Sequence, residues 1–227
     1  MLIVLEGLDG AGKSTQRDMI SQHLAADGLQ VDHLHFPRYD ASVFGGMIGA
    51  FLRGDYGKID QVDPHLVALL FAEDRHEAAA DLRSRLEQGR CVILDRYVYS
   101  NIAYQGAKAG SESAAEEMRE WIFNLEYNHF GIPKPDLNLF LDVPISFVDD
   151  KLHNAREGSE RDYLEGKSDI HEADIAFQKR VRDMYRIQAS KDPHFIVVDC
   201  SDEQGRMLPP DDIFLKVKTV VDSYEGA

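Results

Sequence analysis

The sequence predicts an α/β fold of three layers, with a five-stranded parallel sheet between helices on both faces. Two observations predict it. Five short runs rich in aliphatic residues alternate with longer segments of helical periodicity, and this alternation is typical of parallel sheets. Most of the runs are continuously apolar, as in strands that are covered on both faces. The chain has 227 residues, which suits a single domain with a small insertion.

The five predicted strands end in polar residues or directly before a proline. In chain order they are "LIVLE" (2–6), "QVDHLHF" (30–36), "CVILD" (91–95), "LNLFLD" (137–142) and "HFIVVD" (194–199). In parallel sheets, ligands bind at the carboxyl ends of the strands. We therefore expect the functional residues near the five positions at those ends, which are Glu6, Pro37, Asp95, Asp142 and Asp199.

Three helices between and after these strands have recognisable ends. Asp63 is a predicted N-cap, with Pro64 in the first turn and Gly89 as the stop. A later helix is predicted to begin at Asp169, because Glu172 three residues on would complete a capping box. Its apolar face would contain Phe177, Val181, Met184, Tyr185 and Gln188. The segment "MLPPDDIF" (207–214) predicts a turn into a last helix.

Residues 155–169, "AREGSERDYLEGKSD", are charged and lack an apolar face. Composition alone allows a solvated loop. The position after the fourth strand favours a mobile lid instead. We therefore expect one domain over residues 1–227, with the lid as an insertion within it.

Composition and charge exclude several classes of protein. Arg and Lys number 25 against 40 Asp and Glu, for a formal net charge of −15. A nucleic-acid-binding protein usually shows a basic face, so we expect no nucleic-acid partner, although a local basic pocket for a small anion remains possible. No apolar run approaches about 18 residues, and no signal peptide is recognisable. Cys91 and Cys200 show neither a disulfide framework nor zinc spacing. We expect a cytoplasmic protein without a membrane partner.

The most specific motif is "GLDGAGKS", Gly7–Ser14, which fits G-x-x-x-x-G-K-[ST] between a predicted strand and a predicted helix. Its glycines let backbone N–H groups surround an anion, and the helix start adds a positive dipole. Lys13 would neutralise the β/γ-phosphates of ATP, and Ser14 would hold Mg²⁺. We expect the ATP-binding residues to be Gly7, Asp9, Gly10, Ala11, Gly12, Lys13, Ser14 and Thr15.

The pair Asp95–Arg96 follows the third strand directly. Asp95 is a candidate for the acid that orients the metal, and Arg96 could clamp a phosphate oxygen through two hydrogen bonds. A strand-end ion pair is the alternative interpretation.

Further polar and aromatic side chains indicate a second pocket. Phe71 and Arg75 are four residues apart on one helical face, which suits a flat heterocycle with carbonyl groups. A core Phe with a surface Arg is the plainer alternative. Asn101 and Gln105 each carry a donor and an acceptor, as recognition of a pyrimidine edge requires. With Arg38 and Arg96, Arg75 concentrates positive charge at one edge of an acidic chain and so indicates an anion site.

Taken together, these segments resemble the thymidylate (dTMP) kinases of the P-loop nucleoside-monophosphate kinase group. The matching pieces span most of the first 142 residues, in the family's order and spacing: "EGLDGAGKST", "FPRY", "LLFAEDR", "DRYVYSNIAYQG" and "PDLNLFLD". The resemblance implies a P-loop kinase fold with a short lid and the reaction MgATP + dTMP → ADP + dTDP. It also implies a homodimer.

The resemblance also implies roles for individual residues. Phe71 would stack on thymine, while Arg75 and Asn101 would bond the base with help from Ser100 or Gln105. Arg96 would contact the monophosphate, on a side lined by Phe36, Pro37, Arg38 and Tyr39.

Near the sugar, Tyr104 would disfavour ribonucleotides at the 2′ position, and Asp9 would contact the 3′-OH. One branch of the family carries an arginine inside the P-loop, where this chain has Gly10. The resemblance therefore implies that the lid supplies the catalytic arginine, as Arg156 or Arg161, acting with Lys13, Arg96 and Asp9.

Two alternatives remain open at this point. One is another P-loop kinase, whose acceptor is a deoxynucleoside, dUMP or dCMP. The other is a nucleotide-dependent switch that transfers no phosphoryl group. The paired arginines Arg38 and Arg96 argue against the switch, because a switch needs no acceptor site.

Overall fold

The computed structural model describes residues 1–153, 159–166, 169–171 and 174–225. Five strands form one parallel sheet in the order β2-β3-β1-β4-β5. This confirms the predicted fold class, and each strand lies within one residue of its predicted position. The strands are β1 (Leu2–Glu6), β2 (Val31–His35), β3 (Cys91–Asp95), β4 (Leu137–Asp142) and β5 (Phe195–Asp199).

The three central strands carry the core of the sheet. Every residue of β1, β3 and β4 is buried, whereas the edge strands β2 and β5 are partly exposed. Leu5 pairs with Asp95 in the register of β1 and β3. The ends of β1 and β3 therefore lie side by side, and the two motifs that follow them in sequence meet at one edge of the sheet.

Eight α-helices surround the sheet in the part of the chain that is described. They are α1 (Lys13–Ala26), α2 (Val43–Leu52), α3 (Pro64–Glu87), α4 (Val98–Gly106), α5 (Glu112–Phe123), α6 (Ile145–His153), α7 (Ile175–Ala189) and α8 (Pro210–Glu225). The predicted ends of α3 are confirmed: the Asp63 carboxylate accepts from the backbone N–H groups of His65 and Leu66, and Gly89 follows the helix at φ 75°. Within the described part of the chain, no helix is both long enough and apolar enough to cross a membrane.

The predicted start of α7 is wrong. The helix begins at Ile175, where the Asp174 side chain accepts from the N–H of Ala176. Asp169 instead accepts from the backbone N–H of His171 at 2.7 Å and from the Tyr163 hydroxyl at 2.8 Å. Its carboxylate therefore stabilises a turn and a tertiary contact. The predicted apolar face of α7 is buried as expected, from Phe177 to Gln188.

Part of the predicted lid packs against α2. Residues Ser159–Leu164 form a 3₁₀ helix, and the Tyr163 ring stacks on the Tyr39 ring with 3.8 Å between centroids. The Arg53 guanidinium donates to the Tyr163 carbonyl at 2.6 Å. Residues 155–158 and 167–168 of the predicted lid lie outside the described residues. The described part covers a small apolar cluster between α2 and α3, formed by Ile48, Phe51, Leu52 and Val67.

A π-helix, Asn124–His129, continues directly from α5. Only Glu126 is buried within it, and its exposed fraction is 0%. Because a π-helix widens the turn by one residue, it changes which side chain points inward, and such turns are frequent at functional sites.

Candidate active site

The loop between β1 and α1 has the backbone shape of a phosphate cradle. Gly12 has φ 85° and immediately precedes Lys13, the first residue of α1. A Cβ atom at Gly7 would lie 3.2 Å from the Leu141 carbonyl oxygen, so the loop packs closely on β4. The N–H of Ala11 donates to the Leu8 carbonyl at 3.2 Å and closes a turn. The N-terminus of α1 therefore faces the space above the loop, as anion binding requires.

Lys13 is buried beside the third strand. Its Nζ donates to the Leu8 carbonyl at 3.1 Å and lies 3.9 Å from Oδ1 of Asp95. Burial, together with the charge of Arg96, lowers the pKa of Lys13. A buried ammonium group in this position would gain from the charge of a phosphate.

Asp95 and Ser14 offer oxygen donors of the kind that Mg²⁺ prefers. Asp95 is buried, and its Oδ1 has no hydrogen-bond partner among the described residues. Ser14 is the second residue of α1 and is half-buried. The buried carboxylate oxygen without a donor fits a metal-orienting role, either directly or through water.

A cavity of about 510 Å³, including its open mouth, adjoins the phosphate loop. Helices α3 and α4, the segment after β2 and the residues around Tyr163 form its walls. Of the twelve residues predicted for the acceptor side, eleven line it: Asp9, Phe36, Pro37, Tyr39, Phe71, Arg75, Arg96, Ser100, Asn101, Tyr104 and Gln105. Sequence reasoning missed four further lining residues, Leu52, Tyr163, Asp169 and His171.

Arg38 is the predicted residue that does not line the cavity. Its Nε donates to Oδ1 of Asp74 at 3.0 Å, and one terminal nitrogen donates to the Asp74 carbonyl at 2.7 Å. The Asp74 carboxylate also accepts from the Arg38 backbone N–H at 2.9 Å. Arg38 therefore holds the segment after β2 against α3, and its predicted role with Arg96 on the anion side stays a prediction.

Asp9 points from the phosphate loop into the cavity. Arg96 donates to Oδ1 of Asp9 at 2.7 Å, and the Tyr104 hydroxyl donates to Oδ2 at 3.0 Å. Burial alone would raise the pKa of Asp9, but the charges of Arg96 and Lys13 outweigh it and hold that pKa below its usual value. Burial raises the pKa of Tyr104, which keeps its hydroxyl protonated as a donor. Arg96 thus pairs with Asp9, and the ion pair of Asp95 is with Lys13, at 3.9 Å, rather than with Arg96.

Arg96 is held in an unusual backbone conformation, with φ 68°. For a residue with a Cβ atom, this region is sparsely populated and persists only where the surroundings enforce it. Two of its contacts do so: a hydrogen bond to Asp9, and one to the Ser100 hydroxyl at 3.1 Å. Arg96 is therefore fixed between the phosphate loop and the first turn of α4.

Glu6, which the sequence marked only as a strand end near the site, anchors α4. One carboxylate oxygen accepts from the backbone N–H groups of Tyr97 at 3.0 Å and Ser100 at 3.1 Å. The other accepts from the Ser100 hydroxyl at 2.5 Å and the Tyr185 hydroxyl at 3.0 Å. Burial raises the pKa of Glu6, while these donors oppose the rise. The Glu6 carboxylate therefore caps the N-terminus of α4, and Ser100 takes part in this support through its N–H and its hydroxyl.

Glu126 holds two of the predicted base-binding residues, and it was also missed. Its carboxylate accepts from Nε and one terminal nitrogen of Arg75 at 2.5 and 2.6 Å. It also accepts from Nδ2 of Asn101 at 3.1 Å, which donates in addition to the Ala68 carbonyl at 3.0 Å. Because both partners are acceptors, Nδ2 must face them, and Oδ1 of Asn101 is left without a partner among the described residues. The cavity therefore has a fixed acceptor beside the Arg75 donors.

The two lid arginines stay predictions. Arg156 lies outside the described residues. Arg161 lies in the 3₁₀ helix, where only its backbone is described. The neighbouring His171 is described, and it lines the cavity with its ring 5.0 Å from that of Tyr104. Burial lowers the pKa of His171 well below its ordinary value, so the ring is neutral.

Comparison with known proteins places this geometry in a family. Residues 5–207 match a family model described as thymidylate kinase. The thymidylate kinase of Mycobacterium tuberculosis is 34% identical over 217 residues, covering 93% of this chain and 99% of that protein. The Homo sapiens thymidylate kinase is 35% identical over 148 residues, covering 64% of this chain and 62% of that protein. The solved structure of the Candida albicans thymidylate kinase has the same fold, with a TM-score of 0.73 at 24% identity over 99% of this chain and 92% of that chain.

Proposed function

The chain belongs to the thymidylate kinase family, and from this premise we propose that it transfers the γ-phosphoryl group of ATP to dTMP, giving ADP and dTDP. One observation carries the proposal. Asp9 belongs to the phosphate loop, yet it lines the second cavity and is bonded there by Arg96 and Tyr104. The donor cradle and the acceptor cavity therefore share a wall, as direct transfer between two nucleotides requires.

The acceptor base would lie between Phe71 and the polar groups of α3 and α4. Phe71 offers a ring face for stacking, and Arg75 offers donors whose direction Glu126 fixes. Oδ1 of Asn101 is a fixed acceptor that suits the N3–H of thymine. A thymine edge presents a carbonyl, an N–H and a second carbonyl, so a set of donor, acceptor and donor complements it. This arrangement supports a thymine or uracil base over cytosine, and the family membership favours dTMP among these acceptors.

The sugar and phosphate of dTMP would meet Tyr104, Asp9 and Arg96. The Tyr104 ring, which lines the cavity, would take up the space of a 2′-hydroxyl, and Asp9 would accept from the 3′-OH. Arg96 is anchored through one nitrogen to Asp9, and its charge would hold the monophosphate as nucleophile. Tyr39 and Pro37 line the same side.

Phosphoryl transfer needs positioning and charge compensation more than covalent chemistry. Lys13 and the loop N–H groups would hold the β/γ-phosphates of ATP. Mg²⁺, which Ser14 and Asp95 would hold, supplies charge compensation to those phosphates when bound. The attacking oxygen of dTMP belongs to a monophosphate that is already ionised at neutral pH. No general base is therefore needed to deprotonate the acceptor.

We also propose that residues 155–169 act as a lid within a single domain of residues 1–227. The stack of Tyr163 on Tyr39 closes one side of the cavity and would keep water from competing as the acceptor. Arg156 or Arg161 would supply the catalytic arginine that Gly10 does not.

A coupled ADP-release assay tests the proposed reaction. With ATP and Mg²⁺, dTMP should stimulate ADP release more than thymidine, dUMP or dCMP. Lys13→Met should abolish the activity, since the buried ammonium group is lost, whereas Lys134→Met, at an exposed lysine, should leave it unchanged. An equal response to all acceptors, or activity that survives Lys13→Met, would refute the proposal.

The family resemblance further leads us to propose a homodimer that works in the cytoplasm. Val43 on α2 and Leu66 on α3 are 76% and 60% exposed, on two helices that pack together, and association could bury them. Light scattering coupled to size-exclusion chromatography tests the assembly. A monomer at micromolar concentration would contradict it.

A further inference from the structure

Lys108 lies behind the wall of the acceptor cavity, two residues after the end of α4. Its Nζ donates to Oε1 of Gln105 at 2.8 Å and lies 5.1 Å from the centroid of the Phe51 ring. Within the described residues, no carboxylate forms an ion pair with it. Burial lowers the pKa of Lys108 to about 7. A largely desolvated lysine whose only hydrogen bond among the described residues is to one side-chain amide is an unusual arrangement.

The contact with Lys108 decides which way the Gln105 amide faces. A terminal amide keeps nearly the same shape when it turns by half a rotation, but its donor and acceptor exchange places. While Lys108 carries its proton it can only donate, and it then fixes the orientation in which Oε1 of Gln105 faces it. Nε2 of Gln105 is then left as a donor, and it has no partner among the described residues. Gln105 itself lines the cavity.

The orientation of Gln105 completes a pattern on the cavity wall. Glu126 directs the donors of Arg75 and leaves Oδ1 of Asn101 as the acceptor. We propose that Lys108 is a positioning residue that keeps the Gln105 amide as a donor toward a carbonyl oxygen of the acceptor base. The inference rests on the proposed function, because it concerns the binding of dTMP in this cavity.

The first experiment compares Lys108→Met with the wild-type enzyme. Methionine keeps the length and apolar stem of lysine, but it lets the Gln105 amide turn freely. We expect the KM for dTMP to rise about tenfold, since a charge-assisted hydrogen bond no longer orients the donor. We expect kcat to stay within about twofold, because the reacting phosphates are held elsewhere. Lys134→Met is the matched control, since Lys134 also lies over an aromatic ring, at 5.3 Å from Tyr127.

A double-mutant cycle then separates positioning from general packing. If Lys108 acts through Gln105, the KM change caused by Lys108→Met disappears in a Gln105→Ala background. Equal changes in KM in both backgrounds, or no change in either, would overturn the inference. Circular dichroism checks that each variant is folded, and Lys108→Gln replaces Lys108→Met in the cycle if the methionine variant is not. If dTMP did not stimulate ADP release by the wild-type enzyme, the proposed function would be overturned instead. The two failures are therefore distinguishable.

Discussion

Replacement of Glu126 by glutamine is the sharpest test of how the base site is supported. The carboxylate accepts three hydrogen bonds, two from Arg75 and one from Asn101. A glutamine side chain has the same shape but one acceptor oxygen, and its NH₂ group would face an N–H of Arg75. The change therefore leaves the guanidinium charge buried and only partly paired.

The burial of this pair sets the expected magnitude. The side chains of Arg75 and Glu126 are 2% and 0% exposed, so solvent screens the lost attraction very little. Breaking one partner of such a pair costs about 3–5 kcal/mol, and we expect about 3 kcal/mol because the amide oxygen still accepts one of the two hydrogen bonds from Arg75. For a chain of this size the melting temperature should fall by about 6–12 °C. The KM for dTMP should rise by about tenfold or more, because Arg75 and Asn101 both lose their fixed direction.

Urea unfolding and steady-state kinetics measure the two effects. Glu120→Gln is the matched control, since Glu120 lies on α5, is 65% exposed and pairs with Arg119. That exposed pair should contribute less than about 1 kcal/mol. An unfolding free energy for Glu126→Gln within about 1 kcal/mol of wild type, with an unchanged KM, would refute the role of Glu126.

Three further predictions follow. The unfolded chain binds a proton at Lys108 up to about pH 10.4, whereas burial lowers the pKa of the folded protein to about 7. Wild-type stability should therefore gain from Lys108 as pH rises between these values. Lys108→Met should exceed wild type in unfolding free energy most at pH 6 and least at pH 10, and a pH-independent difference would contradict this. One of Arg156→Ala and Arg161→Ala should lower kcat about a thousandfold, and two active variants would exclude a lid arginine. Tyr104→Ala should raise kcat/KM for the ribose analogue relative to dTMP about tenfold, whereas Tyr104→Phe, which keeps the ring, should not.

The parts of the site that sequence predicts are those encoded by local signals. The phosphate loop is a contiguous motif, and Phe71 and Arg75 share a helical face through their spacing alone. Glu126 gave no such signal, because it meets Arg75 across 51 positions of chain and lies in a π-helix that no periodicity indicates. The hydrogen bonds of Arg38 to Asp74 gave no signal for a similar reason, since Asp74 is 36 positions away.

The error at Asp169 has a different cause. Asp169 and Glu172 satisfy a local capping pattern, and so does Asp174 on its own. The tertiary contact with the Tyr163 hydroxyl and the turn at His171 take up the Asp169 carboxylate, which leaves Asp174 to cap α7. Sequence cannot rank two adjacent caps when the deciding partner lies in another part of the fold.

The π-helix makes the base site depend on chain length as well as on composition. Each residue of an α-helix advances the direction of the side chain by about 100°. Deleting one residue within Asn124–His129 would restore a regular helix and turn the following chain by about that angle relative to α5. Glu126 would then no longer be directed at Arg75. A one-residue change in a segment with no predicted nucleotide contact could thus alter which base the enzyme accepts.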